Sequence, residues 1–187
     1  VTTDRLADLA ALFETHPSTR GCWCQAFSVT RKVYHAGWSN GGNRARLEKL
    51  AETADPPVGL LAYREGEPVG WCSLGPRSRY PAAIGPRSRI LKNRDESEDA
   101  EVWLLPCFFV RSGCRRAGIT YDLLRAAVEL ARGYGAPAIE GWPRSGDDRR
   151  QSDLYLGREK LFAECGFRCV DRPSPQRAVM RLDLTRS

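Results

Sequence analysis

Lysine is scarce in this chain. Of its 29 basic residues only Lys32, Lys49, Lys92 and Lys160 are not arginine, and the formal net charge is +6. Such an Arg-, Ala-, Gly- and Pro-rich composition follows GC-rich codon usage, so the global charge is weak evidence for a polyanionic partner. No apolar run approaches the roughly 20 residues that a bilayer-spanning helix needs. The opening stretch VTTDRLADLAALFETH has internal charges and no cleavage site, so it reads as an amphipathic helix rather than a signal peptide, and a cytoplasmic protein is expected. Neither G-K-[S/T] nor G-x-G-x-x-G occurs, which argues against a P-loop NTPase and a dinucleotide fold. The seven cysteines are odd in number and irregular in spacing, so no disulfide framework is expected.

What is present suits one domain, residues 1–187, with enough chain for a full core. Leu6, Leu9, Ala10 and Phe13 share a face at helical period, and a second helix runs from Asn40 or Asn43 to about Thr53. Two β-rich runs flank REGEP, a hairpin signal. Residues 76–100 have dense charge and no apolar periodicity, and read as a long mobile loop. The tetrapeptide PRSR occurs there twice, at 76–79 and 86–89, without implying a fold repeat. EVWLLPCFFV is a strand buried on both faces, with Pro106 marking a bulge or a local loss of pairing. Residues 116–133 form a helix whose inner face carries Leu123, Leu124, Ala127, Val128 and Ala131. A short strand near 137–141, a polar loop, a helix ended by Gly166 and two closing strands complete a mixed α/β sheet. It has one parallel crossover.

The crossover turn carries the chemistry. In CFFVRSGCRRAGIT, three arginines and two glycines stand between a buried strand and a helix. A helix start offers unpaired N–H groups and the positive dipole end. Glycine permits close approach, and arginine adds bidentate charge. Together they make a phosphate site. The plain alternative is a solvated basic turn in which Gly118 serves packing.

Arg115-Arg116-Ala117-Gly118-Ile119-Thr120 resembles motif A (Q/R-x-x-G-x-G/A) of the GNAT superfamily of N-acetyltransferases, with Thr120 in place of the last Gly or Ala. LFAECGF at 161–167 is similar to the family's later aromatic-plus-GF signature, and the element order agrees over roughly residues 58–184. The family's first strand is not evident before the first helix. The resemblance implies a GNAT-like fold with splayed central strands and helices on both faces, and an acetyl-CoA site. Phe109 and Val110 would offer backbone groups to the pantetheine, and residues 115–120 would hold the pyrophosphate. It also implies a primary-amine acceptor, either a small molecule or a protein N-terminus or lysine. No membrane or nucleic-acid partner is expected, and a homodimer is compatible.

Proton transfer is less legible. The family often places a Glu on the strand before motif A, where this chain has LLPCFFV; Glu101 at the strand's start and Glu140 in AIEGWP are the candidates for the base. The family's Tyr before GF is Phe162 here, leaving Tyr155 as the candidate acid. Cys107 as a nucleophile competes with an inert buried thiol. His16, Cys22, Cys24 and His35 lack the usual zinc spacing, so no metal is expected. Trp23, Phe27, Tyr34 and Trp38 are candidates for an aromatic-walled acceptor cleft. The reading is an N-acetyltransferase acting by direct attack in a ternary complex. A catalytically inactive CoA-binding sensor is the alternative, because the expected carboxylate and tyrosine are missing.

Overall fold

The computed structural model describes residues 1–146 and 155–184; most of the polar loop expected after Trp142 lies outside the described residues. Four helices come first: α1 (Leu6–Glu14), α2 (Pro17–Cys22), α3 (Arg31–Ser39) and α4 (Gly42–Thr53). Sequence periodicity finds α1 and α4. It misses α2 and α3, which are short and owe their starts to side-chain caps: His16 accepts from Ser18 N, and Thr30 accepts from Val33 N.

The hairpin is β1 (Gly59–Arg64) and β2 (Glu67–Pro76). Glu65 and Gly66 turn it with φ of 54° and 84°, the left-handed pair that a two-residue hairpin loop requires. Next come α5 (Pro81–Ile84), β3 (Trp103–Val110), α6 (Ile119–Gly133), β4 (Ala138–Gly141), α7 (Glu159–Glu164), β5 (Arg168–Ser174) and β6 (Arg177–Asp183). The six strands are ordered β1-β2-β3-β4-β6-β5, and among the described residues no strand precedes α1.

α6 and α7 cover one face of the sheet. Leu123, Leu124, Ala127 and Ala131 of α6 meet Cys72, Leu105 and Ile139, and all seven are buried. The other face is covered by two groups. Leu9, Leu12 and Phe13 of α1 pack with Trp71 and Phe109, while Tyr80, Ala83 and Leu91 pack with Leu104, Trp142 and Val179.

The second group belongs to the segment read from sequence as a loop. It has little regular structure but is firmly attached. Tyr80 is buried with its hydroxyl 3.0 Å from Ser73 Oγ, and Arg79 donates to the carbonyls of Pro56, Pro57 and Leu74 at 2.7–3.0 Å. Apolar residues here are spaced irregularly because they fill holes rather than line a helix or strand face.

β3 and β4 are parallel neighbours only at Trp103–Ile139 and Leu104–Glu140. On its other side β3 spends three steps, Leu104 to Cys107, where β2 spends two, Gly75 to Ser73. That extra residue is a bulge at Leu105–Pro106. Pro106 therefore sits where β3 parts from β4, a position where a missing N–H disrupts no regular ladder.

Candidate active site

A cleft of about 440 Å³ opens where β3 departs from β4. One part of its lining is the turn after β3. Gly113, Arg116 and Gly118 have φ of 89°, 66° and 81°, so the chain reverses tightly and delivers the start of α6 to the cleft. No side chain caps α6, and Gly118 is its N-cap residue. The first N–H groups of a 15-residue helix thus point into a cavity without a protein side chain across them.

Gly118 bears on the packing role weighed for this turn. A Cβ placed on it would meet nothing within 4 Å, so it is not a packing glycine. It is required by its left-handed φ, and the space above it stays open. Arg115 and Arg116 are exposed beside it; Arg115 Nε donates to Val110 O at 3.3 Å, which steadies the side chain across the turn. Uncapped helix start, open glycine and two arginines fit a diphosphate.

Phe108, Phe109 and Val110 of β3 form a further part of the lining, with Gly157 and Leu161 leading into α7. Phe162 is wholly buried against Phe108 and Phe167, with ring centroids 6.1 and 5.1 Å apart. This position holds the core together beneath the cleft and needs no hydroxyl. Tyr155 does line the cleft, stacked on Phe109 at 6.4 Å and 25°. His16 packs against the same Phe109 at 6.1 Å.

The two glutamates expected near the chemistry stand elsewhere. Glu101 is exposed at the start of β3, remote along the strand from Phe108–Val110. Glu140 is buried, 3% exposed, and does not line the cleft. Arg77 grips it with two bonds, Nη2 to Oε1 at 2.8 Å and Nε to Oε2 at 3.1 Å, and Arg181 Nη1 reaches Oε1 at 3.1 Å. Both carboxylate oxygens are thus engaged by guanidiniums. Glu140 pairs with Leu104 at the last β3–β4 step, and sequence cannot show which sheet face it takes.

The aromatic residues expected to wall an acceptor cleft pack elsewhere. Trp23 is buried against Phe13, Phe27 packs on Trp142, and Tyr34 packs on Trp38, at 5.2, 5.0 and 5.6 Å. The four residues weighed as zinc ligands are engaged separately. His16 lines the cleft, His35 accepts from Arg31 on exposed α3, and Cys24 Sγ lies 3.5 Å from Cys107 Sγ and accepts from Trp71 Nε1. The contact with Cys107 and burial hold the Cys24 thiol well above its ordinary pKa, and burial pushes Cys22 up to about 11. Both are inert at neutral pH.

Fold and cleft define a mixed-sheet protein with an uncapped helix start and two arginines bordering a cleft along β3, beyond its pairing with β4. A sequence profile of the Acetyltransferase (GNAT) family matches residues 23–167, and the chain belongs to that family. Solved structures of the same fold include an N-acetyltransferase from Staphylococcus aureus Mu50, with 14% identity, coverage of 99% of this chain and 96% of that one, and a TM-score of 0.56. PaiA N-acetyltransferase from Thermoplasma acidophilum, in complex with coenzyme A, matches with 12% identity, 98% and 95% coverage and a TM-score of 0.55. YncA, a putative acetyltransferase from Salmonella typhimurium with its cofactor acetyl-CoA, matches with 15% identity, 97% and 91% coverage and a TM-score of 0.52. No curated protein sequence matches the chain. Among the described residues no helix is long and apolar enough to cross a membrane.

Proposed function

We propose that this GNAT protein transfers an acetyl group from acetyl-CoA to a primary amine, the two meeting in the cleft at once. The observation that carries this reading is the uncapped start of α6, with Gly118 open to a cleft along β3 beyond its pairing with β4. Residues 115–120 would hold the diphosphate, and the backbone of Phe109 and Val110 would border the pantetheine. When bound, acetyl-CoA supplies an activated thioester.

The chain's own residues then orient and exchange protons. Tyr155, stacked on Phe109, brings a phenolic O–H to the lining and is the candidate donor for the departing sulfur. Glu140 acts as a clamp between β4, β6 and the 77–99 segment rather than as a base. The attacking amine loses its proton to solvent at the mouth of the cleft.

One observation favours a second reading, a CoA-responsive domain without turnover: among the described residues, the cleft lining contains no carboxylate. Calorimetric titration with acetyl-CoA, followed by thiol-release assays over a panel of amines, separates the two. Binding with amine-dependent thiol release supports the transferase. Tight binding without release by any amine supports the sensor, and no binding removes both.

A further inference from the structure

His16 ends the turn before α2 and does two things at once. Its Nδ1 accepts the backbone N–H of Ser18 at 3.2 Å, closing the helix start. A ring nitrogen that accepts carries no hydrogen, so the neutral imidazole bears its hydrogen on Nε2. The same ring lines the cleft, packed on Phe109, the residue on which Tyr155 also stacks.

Capping alone does not call for histidine. Threonine, serine, asparagine and aspartate are the usual choices. The molecule uses Thr30 for α3 and Asp95 for the 3-10 turn at Glu96–Glu98. Histidine differs from these in having a second nitrogen on the far side of the ring. Here the cap engages Nδ1, so Nε2 is the nitrogen left to donate from a ring that lines the cleft.

In acyl transfer to an amine, a fixed N–H donor can serve the acyl carbonyl oxygen or the departing sulfur, and Tyr155 is already the candidate donor for the sulfur. A hydrogen bond to the amine's lone pair would hold back the electrons that attack. The acyl carbonyl oxygen, by contrast, gathers negative charge as the new C–N bond forms, and a pre-oriented donor there lowers the barrier. We infer that His16, locked by Ser18 with its hydrogen on Nε2, donates a hydrogen bond to the acyl carbonyl oxygen of the thioester in this cleft. The inference rests on the reading of the cleft as the acetyl-CoA site. No proton changes hands in this role.

The test separates cap from donor. In His16→Asn the amide oxygen still accepts from Ser18, since asparagine is among the best capping residues, but the ring N–H is gone. Expected are an unchanged melting temperature, acetyl-CoA affinity within a few-fold of the parent, and kcat lower by about 10²-fold, the cost of losing one such donor. His16→Ala should show the same fall in kcat together with a lower melting temperature. Parental kcat in His16→Asn would reduce His16 to a cap and overturn the proposal.

A second readout needs no turnover. The chain has two histidines, and His35, exposed on α3 with its Nε2 accepting from Arg31 Nε at 3.3 Å, does not line the cleft and provides an internal control. Nitrogen-15 NMR of the free protein should show one Nε2–H imidazole, absent from His16→Asn. Its proton should move downfield with acetyl-CoA and not with free CoA, which has no acyl carbonyl. An Nδ1–H tautomer at His16, or a signal unmoved at saturating acetyl-CoA, overturns the inference. A parent protein that fails to bind acetyl-CoA overturns the cleft reading itself, and His16's role with it.

Discussion

Two concavities of similar size lie on this sheet and are built in opposite ways. The cleft at the β3–β4 splay, about 440 Å³, is bordered by an uncapped helix start and a glycine with nothing above it. The pocket of about 340 Å³ between the 77–99 segment and strands β4 to β6 is bordered by Arg77, Arg94, Glu98, Glu140 and Arg181. In the second, the charges are spent on one another. Arg94 pairs with Asp99 at 2.9 Å, Arg181 with Glu98 at 2.8 Å, and Arg77 with Glu140 at 2.8 Å. A density of charged residues is therefore not what marks a ligand site here. The mark is hydrogen-bonding capacity that the chain itself leaves uncommitted.

The sharpest way to break this comparison is Gly118→Val. A branched side chain at φ +81° is strained and fills the space above the helix start. Loss of two charge-assisted bonds to a diphosphate corresponds to about 10³-fold in affinity. Calorimetry should show acetyl-CoA binding lost beyond that factor, with the protein still folded by circular dichroism. Full-strength binding by a folded variant would refute the assignment of the cleft.

Glu140→Gln should do the converse. It leaves two guanidiniums against a neutral amide in a buried site, and breaking a buried pair costs about 3–5 kcal/mol. Denaturant melts should show that loss while acetyl-CoA affinity stays parental. A variant of parental stability and greatly reduced turnover would instead return Glu140 to the mechanism as the base.

The smallest effect concerns acid. Hydrogen bonds from Arg181 hold Glu98 below its ordinary carboxylate pKa, and Arg181 with Arg168 does the same for Asp183. Because the folded-state values lie below the unfolded ones, this stabilisation is complete above the unfolded carboxylate range of about 4 and is lost as pH falls through the folded values. Melting temperature should decline below about pH 4, and less steeply in Arg181→Met. Equal slopes would detach the clamp from acid stability.

Much of the architecture is legible in the sequence because it rests on local periodicity. The hairpin, the buried β3, α6 and the closing strands all carry their pattern in consecutive residues. The turn 113–118 is legible too, since glycines and arginines at a helix start have a direct physical reading. What is not legible is pairing between distant residues. The two PRSR copies make the point. In the first, Arg77 is buried on Glu140 and half-buried Arg79 donates to backbone carbonyls; in the second, Arg87 and Arg89 are exposed. The tetrapeptides are identical, and only the tertiary surroundings separate them. The surroundings of Glu140 are hidden for the same reason, since its partners lie 63 and 41 residues away. His16 is visible only as a loose zinc candidate, although H-P-S at a helix start does carry a capping signal.

The clamp around Arg77 also sets an order of events during chain assembly. It joins residues 77, 98, 140 and 181, so it cannot close until β6 has been synthesised and docked. Contacts at such sequence separation carry a large loop-closure cost and form late. Interactions absent from the folding transition state chiefly govern how fast the native protein comes apart. A clamp that closes after the transition state sets the lifetime of the folded chain rather than the speed with which it is reached.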